Sequence, residues 1–161
     1  MSSPDTSTDT AWLDDTEAQA WRSFLRMHTQ LMARLGRELQ TDSDLSLADF
    51  DVLVQLTDIP GGRIRVLELA RALRWEKSRM SHHLARMVKR ELIVREECAN
   101  DRRGSFVAIT PAGRAAIRTA APRHVRTVRR LVFDAITPEQ VAALAGLSEE
   151  VLRQLEEEPV D

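Results

Sequence analysis

Residues 78–110, SRMSHHLARMVKRELIVREECANDRRGSFVAIT, decide how this chain is read. The first part has helical periodicity from about Lys77 to Arg90. Met80, Leu84 and Met87 share one face, with Val88 at its edge, and are expected to pack on neighbouring helices. Ser78, His82, Ala85 and Lys89 face the other way, with Arg79 and Arg86 on the flank; Lys77 and Ser81 join the polar side. The second part predicts a hairpin of strands Ile93–Cys98 and Ser105–Ile109, with the tip Asn100-Asp101-Arg102-Arg103-Gly104 between them. A helix exposing these residues can lie in a DNA major groove, and an arginine-tipped hairpin beside it can reach a minor groove or the backbone. A solvated amphipathic helix would show the same polar face, so the neighbouring elements carry the decision.

Upstream, Val66–Leu73 reads as a small helix with Val66, Leu69, Ala70 and Leu73 inward, joined to the next by the turn Arg74-Trp75-Glu76. Arg63-Ile64-Arg65 before it is a short extended piece. A second helix starts at Ser46, with Asp49 three residues on, and stops at Pro60-Gly61-Gly62. A first helix runs from Thr16, with Thr16-Glu17-Ala18-Gln19 as a capping box, to about Gln40. Downstream, Thr110 caps a fifth helix with Pro111 at its first position, running to about Ala135, and Pro122 is expected to kink or interrupt it. Thr137-Pro138-Glu139-Gln140 repeats the signal for a sixth helix to about Glu157. The fold class is therefore mainly α with a small β-hairpin wing: a winged helix-turn-helix flanked by N- and C-terminal dimerisation helices. The division is a tail (1–15), an N-terminal dimerisation helix (16–45), the winged module (46–110), C-terminal dimerisation helices (111–157) and a short tail (158–161).

Charge follows the same division. Net charge is −2 over 161 residues. Residues 61–104 carry 12 basic and 6 acidic side chains, whereas residues 1–60 carry 4 and 11. A basic centre between acidic flanks is a local footprint for a polyanion, with the flanks as scaffold. No apolar run nears the ~18 residues of a membrane span, and no signal-peptide core precedes the body, so the reading is a cytoplasmic protein without membrane contact. The single cysteine, Cys98, excludes an intrachain disulfide framework. Three tryptophans and no tyrosine leave little for base-stacking platforms.

These segments resemble the MarR family of winged-helix transcription regulators. The matching residues are Val66-Leu67-Glu68-Leu69-Ala70-Arg71-Ala72-Leu73, Ser78 to Met87, Leu92-Ile93-Val94-Arg95, and Asn100-Asp101-Arg102-Arg103-Gly104 followed by Ile109-Thr110-Pro111-Ala112-Gly113. The Asp-x-Arg wing before Ile-Thr-x-x-Gly is the most specific part. The resemblance implies a homodimer whose two winged modules meet successive major grooves of a palindromic site. It places Ser78, Arg79, Ser81, His82 and Arg86 on recognition-helix positions, Arg103 at the minor groove and Asp101 in ordering the wing; Lys77, Lys89 and Arg102 complete the candidate DNA-binding set. It also implies a small, often aromatic, effector. One position departs from the family pattern: Glu91 stands where glycine is usual. Glycine suits a left-handed helix cap, so Glu91 predicts a helix end of another kind.

Dimerisation has support of its own. Leu31, Met32 and Leu35, then Val125, Val128, Leu131 and Val132, then Val141, Leu144, Val151, Leu152 and Leu155 form apolar stripes that a module this small cannot cover, and a self-complementary interface can. Trp21, Arg22 and His28 are candidate effector-lining residues, with an ordinary interface or core histidine as the other reading of His28. Trp75 reads as a packing anchor. Cys98, beside Glu96 and Glu97, is placed to have a raised thiol pKa, against redox sensing. His82, His83 and Cys98 lack zinc spacing, and no cofactor motif or catalytic constellation occurs. The resulting reading is a ligand-relieved repressor binding double-stranded DNA. An activator or thiol sensor of the same fold, or a winged-helix protein-interaction module, are the alternatives.

Overall fold

The computed structural model describes residues 11–97 and 104–158. In chain order the helices are α1 (Asp15–Ser43), α2 (Leu47–Asp58), α3 (Val66–Leu73), α4 (Lys77–Lys89), α5 (Pro111–Leu131) and α6 (Pro138–Glu157). The strands are β1 (Arg63–Arg65), β2 (Ile93–Glu96) and β3 (Phe106–Ile109). The chain divides into two compact units, residues 1–34 and 35–161.

In the first unit, α1 is capped two residues earlier than the Thr16–Gln19 box predicts. Asp14 Oδ1 accepts from the Glu17 backbone N–H at 2.8 Å, and Glu17 accepts in return from the Asp14 N–H at 2.9 Å. Two overlapping boxes compete here, and the one made of carboxylates also favours the positive helix end. Along this part of α1, Trp21 and Phe24 stack with ring centroids 5.7 Å apart, and Phe24 and His28 follow at 6.2 Å. All three rings are exposed.

In the second unit, α1 continues past Gln40 to Ser43 and closes on Asp44, which takes a left-handed φ of 55°. Ser46 and Asp49 then form a reciprocal capping box at the start of α2. The three strands make one antiparallel sheet in the order β1-β3-β2, with Arg63 opposite Ala108 and Ile93 opposite Ile109. The extended Arg63-Ile64-Arg65 piece is thus the third strand of the wing's sheet. β2 ends at Glu96 and β3 begins at Phe106, inside the predicted strand limits; Cys98 lies outside the described residues. Leu53 and Leu56 of α2, Leu69 of α3, Met80, Leu84 and Met87 of α4, Ile93 and Val107 form the core, as the apolar periodicity requires.

The start of α5 locks onto the start of β2. The Thr110 hydroxyl accepts from the Gly113 N–H at 2.9 Å and donates toward the Leu92 carbonyl at 2.9 Å. Gly113 packs so tightly there that a Cβ would stand 2.1 Å from the Leu92 oxygen. Helix α5 runs uninterrupted through Pro122 and stops at Leu131, short of the predicted Ala135. Pro122 is exposed, so the carbonyl it leaves unbonded can be hydrated. The break comes instead at Val132 (φ −121°, ψ −71°), which opens a 3-10 turn over Phe133–Ala135. Glu38 of α1 holds α5 through Arg130 Nη2 at 2.8 Å and the buried Thr127 hydroxyl at 2.9 Å. Helix α6 starts on the predicted Thr137–Gln140 box and leaves Leu144, Leu147, Val151, Leu152 and Leu155 exposed. Among the described residues no helix is long and apolar enough to cross a membrane.

Candidate nucleic-acid interface

The basic centre of the sequence folds into α3, a tight turn, α4 and the sheet. Helix α3 ends on Arg74 in the left-handed region (φ 54°), with the Trp75 N–H donating back to the Ala70 carbonyl at 2.9 Å. This sharp reversal turns the chain into α4. Helix α4 ends in the same way. Glu91 has φ 61°, its N–H donates to Val88 O at 2.9 Å and the Leu92 N–H reaches Met87 O at 3.2 Å. That is the glycine-type helix end built with glutamate, so the substitution at Glu91 changes the cost of the cap and not its form. The Leu92 side chain, at the position that supplies the cap's hydrophobic contact, is buried.

Lys77, Ser78, Arg79, Ser81, His82, Arg86 and Lys89 are all exposed, on one continuous side of α4. Met80, Leu84 and Met87 are fully buried on the other. Asp101, Arg102 and Arg103 of the wing tip lie outside the described residues. At the base of the wing, Arg63 places its guanidinium 3.6 Å over the Phe106 ring and bonds Glu96 at 2.6 Å. Arg95 Nε donates to the Ser105 hydroxyl at 2.7 Å across the hairpin.

The polar face of α4 stands on a buried polar cluster that the sequence reading missed. Asp49 of α2, 3% exposed, receives Arg90 Nη1 at 2.6 Å and the Ser46 N–H at 3.0 Å. Arg90 also donates to the carbonyl of Asp44. His83 of α4, 6% exposed, brings Nε2 to 3.0 Å from the other Asp49 oxygen. That distance is a hydrogen bond's, although the ring N–H is imperfectly aligned with the oxygen. Burial pushes the Asp49 carboxyl up, but the His83 contact, the Ser46 N–H and Arg90 together outweigh it and hold the group well below the usual carboxylate range. His83 Nδ1 lies 3.1 Å from Arg86 Nη2. Trp75 meets His83 edge-on at 5.3 Å between centroids and carries the Arg79 guanidinium 4.3 Å above its own ring. Trp75 is therefore the expected packing anchor and also a platform for an exposed arginine.

The candidate effector residues lie on α1 in the first unit. Phe24, which the sequence reading passed over, links Trp21 to His28 in one ladder of rings. Arg22 is exposed and falls about 100° around the helix from Trp21.

A sequence model of the MarR family matches residues 43–104, the segment that holds α2, β1, α3, α4 and β2. AbsC, a MarR family transcriptional regulator from Streptomyces coelicolor, is 38% identical, with 92% of this chain and 100% of that one covered and a TM-score of 0.85. The chain belongs to the MarR family. A second MarR family regulator from Streptomyces coelicolor, Sco3205, solved in complex with DNA, is 37% identical over 92% of each chain, with a TM-score of 0.86. The transcriptional regulator HosA of Escherichia coli is 28% identical over 137 residues, 85% of this chain and 91% of that one. This MarR-family protein is a DNA-binding transcriptional regulator, and its fold and relatives are those of regulators, not enzymes.

Proposed function

We propose that the protein is a homodimeric, sequence-specific repressor that presents the exposed face of α4 to the major groove of a palindromic operator and is relieved by a small, often aromatic, effector. The observation that carries this reading is the unbroken exposed row Lys77, Ser78, Arg79, Ser81, His82, Arg86 and Lys89, set on a rigid buried base. Hydroxyls, an imidazole and guanidinium groups supply donors for base edges and phosphates, and a rigid helix fixes their register. By the family resemblance Arg103 is assigned to the adjacent minor groove and Asp101 to ordering the wing, with Arg102 completing the DNA-binding set.

Dimerisation is supported by α6. Leu144, Val151, Leu152 and Leu155 lie 39–63% exposed along a helix with no buried residue. Apolar side chains repeated over several turns favour burial against a second copy, and two copies supply the two half-sites of a palindrome. The effector role falls to Trp21, Arg22 and His28, where the exposed ring ladder offers flat aromatic surface. The test is selection of duplexes from a randomised pool, with sedimentation of the free protein. Enrichment of an inverted repeat and a dimer at micromolar concentration are expected. Enrichment of a single half-site, or a monomer, contradicts the dimer; no enrichment contradicts sequence-specific binding.

A further inference from the structure

Arg86 lies on the exposed side of α4, yet its guanidinium is held by a ring buried on the other side. Arginine has donors only, so the bond at 3.1 Å requires a bare lone pair on His83 Nδ1. The ring proton then sits on Nε2, which faces the Asp49 carboxylate at 3.0 Å. Asp49 in turn is fixed by the Ser46 N–H and by Arg90. The carboxylate thus selects the imidazole tautomer, and the tautomer decides whether Nδ1 can accept from Arg86. The same ring meets Trp75 in a T-shaped contact, and Arg79 rests on Trp75.

We propose that His83, held by Asp49, is a positioning residue for DNA recognition, presetting the guanidinium of Arg86 on the DNA-facing side of α4. This inference rests on the reading of α4 as the recognition helix. A long arginine side chain free in solution loses rotamer entropy on meeting a base edge, and one held beforehand loses less. His83 itself is buried beneath that face, so its effect passes through Arg86.

A double-mutant cycle tests this, read as fluorescence anisotropy on a duplex selected by the wild-type protein and on a scrambled duplex of equal length. Arg86→Ala is expected to weaken binding to the selected duplex by about five- to a hundredfold. His83→Gln keeps a donor toward Asp49 and gives up the acceptor at the Nδ1 position. It is expected to weaken the selected duplex by about threefold or more, to leave the scrambled duplex unchanged, and to add nothing on top of Arg86→Ala. An equal loss in both backgrounds overturns the inference, because His83 would then act through the fold alone. An Arg86→Ala variant that binds like wild type refutes Arg86 as a reading residue, a separate failure from a cycle without coupling. A second measurement needs no variant: the side-chain proton–nitrogen correlation of His83 in the intact protein reports its tautomer. A proton on Nε2 is expected, and a proton on Nδ1 overturns the inference.

Discussion

Replacing Gly113 by alanine gives the sharpest stability test of how the wing is attached to α5. The new Cβ would stand 2.1 Å from the Leu92 carbonyl oxygen and 2.9 Å from Ile109 Cγ1. Neither neighbour can turn aside easily, since one is backbone and the other is a buried core side chain at the end of β3. The first turn of α5 must therefore retreat by more than about 1 Å to reach an ordinary contact. That retreat strains the Thr110 cap, which bonds Gly113 N–H and the Leu92 carbonyl together. Overpacking costs about 1–3 kcal/mol and a lost cap about 1 kcal/mol, while alanine regains about 1 kcal/mol of helix propensity. The net expectation is a loss of about 2 kcal/mol, or about 4–8 °C in Tm for a chain of this size. Urea and thermal melts at fixed protein concentration measure it. A variant as stable as wild type, or more so, would refute the close seating of α5 on the start of β2.

Other perturbations address the remaining joints. Glu91→Gly removes a side chain from a left-handed cap and is expected to stabilise by about 1 kcal/mol in urea melts, with DNA affinity unchanged. Asp49→Asn is expected to cost about 2 kcal/mol at neutral pH, since it weakens the contacts to Arg90 and His83. The pH dependence has a definite sign. The folded carboxyl titrates below its unfolded value, so its contribution is present above about pH 4 and fades as pH falls from there toward the folded value. Acid melts of wild type therefore fall more steeply below about pH 4 than those of Asp49→Asn, and parallel curves would contradict the assignment. The Val151→Glu, Leu155→Glu double variant is expected to sediment as a monomer at micromolar concentration, because each buried aliphatic group is worth about 1.5–3 kcal/mol.

Most helix starts were legible because each is a local chemical event. Ser46 bonds Asp49, Thr110 bonds Gly113 with Pro111 at the first helical position, and Thr137 bonds Gln140, each within three residues, and the structure holds all three. Where two local signals overlapped, at Asp14–Glu17 and Thr16–Gln19, spacing alone could not choose between them. The polar and apolar faces of α4 followed from period alone, and the structure exposes and buries the residues accordingly. The support beneath that face was not legible. Asp49 meets His83 and Arg90 across 34 and 41 positions of sequence, and its local duty as a capping residue already accounted for its presence. A single-residue end such as Val132 also leaves no sequence signal, since valine is not a breaker; the structure puts the break there, past the Pro122 that looked like one.

On the proposed function, the exposed row on α4 binds DNA as a phosphate-neutralising, base-reading surface. Anisotropy titrations of the selected duplex across a series of salt concentrations test it most directly. Each phosphate neutralised releases counterions, so the logarithm of affinity should fall linearly and steeply with the logarithm of salt, and Lys89→Ala should lower the slope by about one. An affinity that stays flat as salt rises would contradict DNA binding by this face.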